Sequence, residues 1–225
     1  MRVRLEDGTR LYFDVAGMGL VPQGPAMRER STLLCLHGGP GFDHSLLKSA
    51  LAPLQNAAQV VFLDHRGQGR SDENTSDRWN LDTWIQDVVD FCPALDLERP
   101  VILGRYFRDP NDERLQEFMS ICLPLYNPTP LKADALARVV IRPEVGFHFF
   151  RGEGFTYDWF DELDRIRCPT LVLAGELDPV TTVADHEELA AAIPGSRLEV
   201  LPNAGHGVFR DRPAEALSII REFVA

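Results

Sequence analysis

The 225-residue sequence predicts an α/β fold, a mostly parallel sheet that opens with an antiparallel hairpin and carries a helical lid. Three observations carry that expectation. Short runs apolar on both faces alternate with amphipathic stretches, the first two strand-like runs alternate apolar and polar residues instead, and one long middle stretch breaks the alternation.

In chain order, Val3 to Leu5 and Leu11 to Val15 flank Asp7-Gly8, a dipeptide suited to a tight turn, so the chain opens as a hairpin. After a loop bearing Gly and Pro, the runs Thr32 to Leu36, Gln59 to Leu63 and Pro100 to Gly104 each read as a buried parallel strand. Leu81, Trp84, Ile85, Val88, Val89 and Cys92 fall on one stripe of a helix, which Pro93 should end or kink. The alternation resumes with a strand over Thr170 to Ala174, a helix over Val183 to Ile193, a strand over Leu198 to Leu201 and a closing helix begun by Pro213. Between them, residues 105–167 hold helix-like stretches such as Glu113 to Leu123 and Leu131 to Val140. The expected organisation is therefore a first core segment over 1–104, a lid over 105–167 and a second core segment over 168–225.

This length suits one domain with its own core. A formal net charge of −11 without a Lys/Arg cluster argues against nucleic acid, because displacing phosphate counterions needs concentrated positive charge. No apolar run reaches membrane-spanning or signal-peptide length. Cys35, Cys92, Cys122 and Cys168 form no Cys-x-x-Cys pair, which fits a reducing compartment, and a cytoplasmic address is expected. No metal or other cofactor is expected. The six histidines show no His-Glu-x-x-His, and Gly67-x-Gly69 fails as a dinucleotide fingerprint because its third glycine position is Asp72.

The strand ending at Leu36 runs into His37-Gly38-Gly39-Pro40-Gly41. Such a glycine turn can expose amide N–H groups to the oxygen that gains charge during acyl transfer, where one lost donor costs ~3 kcal/mol. The next strand is followed by Asp64-His65-Arg66-Gly67-Gln68-Gly69-Arg70-Ser71. Together these segments resemble the paired signature of proline iminopeptidases within the α/β-hydrolase family, and the resemblance runs over nearly the whole chain.

That resemblance implies an α/β-hydrolase fold and hydrolysis of an amide or ester of a small molecule or short peptide, with release of an N-terminal residue, often proline. It also implies residue roles. Gly39, with Gly38 beside it, would line the oxyanion hole. Asp178, in Gly175-Glu176-Leu177-Asp178-Pro179, would be the triad acid, and His206, in Asn203-Ala204-Gly205-His206-Gly207, the general base. The stretch from Asp64 to Ser71 reads as a turn held by polar side chains. Asp178 alone could equally be an Asp-Pro turn or a helix cap. Glu153 could hold a substrate amine from the lid, or belong with Asp158, Asp161 and Glu162 to a solvated acidic face.

The nucleophile that should complete the triad is absent. A Gly-x-Ser-x-Gly elbow belongs just after the strand ending at Gly104, yet Gly104-Arg105-Tyr106-Phe107-Arg108 puts Tyr106 at the serine position and Arg108 at that of the closing glycine. No serine elsewhere has the flanking glycines, and the cysteines read as structural. Lid-like sequence follows Gly104 at once, as though an internal deletion had removed the elbow, a helix and a strand. The sheet should be correspondingly short. A non-catalytic binding protein, or a broken product of a hydrolase gene, is the competing expectation.

Overall fold

The computed structural model describes residues 1–104, 126–130 and 137–225. Two compact units share the chain: one takes Met1–Tyr106, Ala133–Glu153 and Val224–Ala225, the other Phe107–Lys132 and Gly154–Phe223.

The first unit is built on a five-stranded sheet. Strands β1 (Arg2–Arg4) and β2 (Arg10–Ala16) form the expected opening hairpin, and β2 runs antiparallel to β6 (Gln59–Leu63). β6 then pairs in parallel with β5 (Thr32–Leu36), which helix α1 (Ser45–Leu51) follows in the chain, and β5 pairs with β7 (Val101–Leu103), giving the order β1-β2-β6-β5-β7. β3 (Leu20–Gln23) and β4 (Ala26–Glu29) make a separate antiparallel ribbon in the stretch expected to be a loop. One face of the main sheet packs Leu5, Leu11, Phe13, Leu34, Val61 and Leu63 against Phe91 of α2 (Leu81–Ala94). These side chains leave water together, at roughly 25 cal/mol per Å² of apolar surface.

Helix α2 corrects the predicted stripe. Its buried face carries Trp84, Asp87 and Phe91, while Ile85 and Val89 are exposed. The cause is Arg66, itself buried, whose Nε donates to Asp87 Oδ2 at 2.9 Å and whose Nη1 donates to Thr9 Oγ1 at 2.7 Å. A buried carboxylate paired with a guanidinium turns the helix away from its purely apolar stripe. Asn80 caps the helix by accepting the Thr83 N–H at 2.8 Å, and Pro93 sits in its last turn.

β7 is also a correction. Its apolar run predicts burial on both faces, yet among the described residues it pairs with β5 alone, and Ile102 at its centre is 49% exposed. Among the described strands it is the edge of the sheet.

In the second unit, β8 (Leu171–Gly175) and β9 (Arg197–Leu201) pair in parallel, joined through α4 (Val183–Ala192), which packs on both. Helix α3 (Pro143–Arg151) precedes them in the chain but belongs to the first unit. Thr182 and Asp185 close a reciprocal capping box at the start of α4. Helices α5 (Val208–Asp211) and α6 (Pro213–Val224) end the chain, and Leu201, Ala204, Val208 and Ala216 form the second core. The helix expected over Glu113 to Leu123 lies outside the described residues. Of that expected over Leu131 to Val140, only residues 137–140 are described, and they hold a turn. No described helix is long and apolar enough to cross a membrane.

Candidate active site

The loops after β8 and β9 are stapled backbone to backbone. The Glu176 N–H donates to Leu201 O at 3.0 Å and the Leu177 N–H to Ala204 O at 2.7 Å. A Cβ on Gly175 would lie 2.3 Å from Gly205 O, so only glycine lets the two loops approach so closely.

This contact brings Asp178 and His206 together. Asp178 Oδ2 accepts from His206 Nδ1 at 2.9 Å and from the Thr181 hydroxyl at 2.8 Å, while Oδ1 accepts the N–H groups of Val180 and Thr181 at 2.8 and 3.1 Å. Burial alone would raise the Asp178 carboxyl. The bond to His206, that ring's charge and the donors of Val180 and Thr181 outweigh burial and bring its pKa down to about 2. An ionised carboxylate only accepts, so it fixes the imidazole with Nδ1–H toward Asp178, the tautomer a general base at Nε2 requires. Both side chains are almost fully buried, 4% and 6% exposed.

Gly38 and Gly39 lie in the first unit. Gly39 and Gly41 have φ of +74° and +95°, and Phe42 N–H closes the turn on Gly39 O at 3.0 Å. The N–H groups of Gly38 and Gly39 donate to no described residue. Gly41 is held from three directions. Its N–H donates to Gln68 Oε1 at 2.7 Å, its carbonyl accepts the Arg142 N–H at 2.6 Å, and a Cβ there would meet Arg142 O at 2.6 Å. The start of α3 thus clamps the glycine turn, with Gly146 pressed against Pro40 O.

Beneath the turn, His65 N–H donates to His37 Nε2 at 3.2 Å, and the two rings meet edge to face at 4.8 Å. Burial pushes His37 down to about 4 and His65 to about 3, so both are neutral. Asp64, fully buried, accepts His44 N–H at 2.9 Å, His44 Nδ1–H at 2.7 Å and Arg70 N–H at 2.9 Å. Asp43 accepts from Ser45 N, Ser45 Oγ, Arg70 Nη1 and Val140 N. Asp43, His44 and Asp64 are close enough together to hold a metal ion, yet hydrogen bonds already engage both carboxylates and His44 Nδ1.

Glu153 also lies in the first unit, where its carboxylate accepts the Leu81 N–H at the start of α2. Gly104 is exposed, and a Cβ on it would meet none of the described residues within 4 Å. The residues that sequence reasoning missed are Thr181, Asn127 and Asp211. The first binds the acid, and the other two bind the backbone around the base.

Two family models match the chain, one described as the alpha/beta hydrolase fold over residues 31–105 and one as the alpha/beta hydrolase family over residues 104–218. The monoacylglycerol lipase ABHD6 of Mus musculus is 36% identical over 69 residues, 31% of this chain. The chain spans about a fifth of that relative's length, 20%. The putative carbamate hydrolase RutD of Caulobacter sp. (strain K31) is 24% identical over 267 aligned positions, covering 96% of both chains. Among solved structures, the proline iminopeptidase-related protein of Thermus thermophilus superimposes with a TM-score of 0.78 at 24% identity, over 99% of this chain and 95% of that one. At that identity the likeness speaks for the fold.

Proposed function

The chain belongs to the alpha/beta hydrolase family, and from that premise we propose that it is a proline iminopeptidase-like serine hydrolase frame that keeps its acid and base and lacks its nucleophile. The observation that carries the reading is the Asp178–His206 pair at 2.9 Å in a chain whose sequence contains no Gly-x-Ser-x-Gly. In such a frame Asp178 orients the imidazole, and His206 takes the nucleophile's proton at Nε2 and later returns it to the leaving group, while the family resemblance assigns the oxyanion donors to Gly38 and Gly39. Without the nucleophile no acyl-enzyme forms. Removing that group from a serine triad costs ~10⁶ in kcat, and the oxyanion N–H on the following residue goes with it.

Several observations support a deletion after Gly104. The two family models meet at residues 104–105. The 267 positions aligned with the carbamate hydrolase take in 96% of this 225-residue chain, which leaves about 50 of them facing no residue of it. In the first unit, β7 pairs with β5 alone among the described residues, which fits a strand missing after Gly104. Among the described residues, none lies within 4 Å of a Cβ at Gly104 to explain why it is glycine.

The substrate class is a small amide or ester, including short peptides with a free N-terminus. The lid over 105–167 and a cytoplasmic address belong to the same proposal. Its test compares the chain with a version that carries a strand, Gly-x-Ser-x-Gly elbow and helix inserted after Gly104. Aryl esters and prolyl anilides should give no turnover with the chain as it stands, and measurable turnover with the restored one. Turnover by the unmodified chain that Asp178→Asn and His206→Gln abolish would overturn the proposal. Saturable binding of prolyl amides without turnover would favour a binding protein built on the same frame.

A further inference from the structure

We propose that Asn127 and Asp211 are positioning residues for His206, holding the loop that aims its imidazole. This rests on the reading of His206 as the base. Three consecutive amides around that residue are each met by an acceptor from the same small cluster. Gly205 N–H donates to Asp211 Oδ2 at 2.9 Å, His206 N–H to Tyr126 O at 2.8 Å, and Gly207 N–H to Asn127 Oδ1 at 2.7 Å. Asp211 Oδ1 in turn accepts the Thr129 N–H at 2.9 Å, so one carboxylate ties the segment around residue 127 to the histidine loop.

Packing reinforces the hydrogen bonds. The Tyr126 ring stands edge-on to the His206 ring at 5.7 Å. A Cβ at Gly205 would lie 2.1 Å from Tyr126 O, and one at Gly207 would lie 2.3 Å from Asn127 Oδ1. The two glycines beside His206 are there because residues 126–127 pass against them. Asn127 is itself buried, so its loss would leave the half-buried Gly207 N–H without its acceptor and release the backbone beside the imidazole. Asp178 fixes one ring nitrogen, while Asn127, Asp211 and the carbonyl of Tyr126 fix the backbone from which the ring hangs. The pair needs both to keep its 2.9 Å separation.

The test follows the hydrogen-bonded Nδ1–H proton of His206 by NMR in the full chain, assigned by its disappearance in His206→Gln and Asp178→Asn. Asn127→Asp keeps an acceptor oxygen and should keep the resonance. Asn127→Leu, and the smaller polar Asn127→Ser whose hydroxyl falls short of Gly207, should lose it to exchange or speed its exchange at least ~10-fold, as opening of a buried hydrogen bond does. Asp211→Leu should do the same. If either Asn127→Leu or Asn127→Ser folds and retains the resonance with unchanged exchange, even at a lower melting temperature, Asn127 is merely structural and the inference is wrong. Absence of the resonance from the unmodified chain would instead remove the base reading on which the inference rests.

Discussion

Replacing Asp178 with Asn should remove a stabilisation that depends on acid in a defined window. The carboxyl is 4% exposed, takes two backbone and two side-chain donors, and has its pKa carried from 3.8 to about 2. At ~1.4 kcal/mol per unit, that displacement is worth about 2 kcal/mol. Because the folded-state value is depressed, the contribution is complete above pH 3.8 and is lost as the pH falls toward 2. Asp178→Asn should therefore be less stable than the unmodified chain by about 2 kcal/mol at neutral pH, and the gap should close across that acid window. Amide hydrogen exchange within Val172 to Ala174 of β8, corrected for intrinsic rates and followed against denaturant, reads the stability of the unit that holds the pair. A gap that is absent at neutral pH, or that persists unchanged at the acid end, would refute the reasoning.

Two further outcomes follow from buried groups of the first unit. Asp87→Ala strips the buried Arg66 of its bidentate partner, leaving Asp7 and Thr9 as acceptors, and should cost ~3 kcal/mol in denaturant unfolding. A change under ~1 kcal/mol would mean that the guanidinium is not held by that pair. His37 and His65 are neutral in the fold, with values near 4 and 3 against 6.5 for the free ring, so their contribution is complete above pH 6.5 and falls away as the pH drops. His65→Phe should flatten the acid limb of this unit's stability between pH 6.5 and about 3, and an unchanged slope would contradict the assignment.

Much of this architecture could be read from residue order. The opening hairpin, the parallel strands β5, β6, β8 and β9, and the loops that carry Asp178 and His206 all announce themselves locally, through alternation, apolar runs and turn residues. What stayed hidden depends on partners distant in sequence. Asn127 and Asp211 leave no periodic mark, since their role comes from amides at Gly207 and Gly205. Asp87 interrupts an apolar stripe, and only its pairing with Arg66 explains why. The β3–β4 ribbon is masked by Gly24-Pro25 at its turn and Pro22 within a strand. Glu153 reads in sequence either as a lid carboxylate for a substrate amine or as part of a solvated acidic face, and its acceptance of the first amide of α2 leaves no mark there.

Intact-mass spectrometry after treatment with a fluorophosphonate probe tests the missing nucleophile most directly. The chain should remain at 25.3 kDa with no probe attached, while the version carrying the restored elbow should gain one probe on its serine, dependent on His206. A probe adduct on the unmodified chain that Asp178→Asn or His206→Gln abolishes would reveal a working nucleophile and contradict the account.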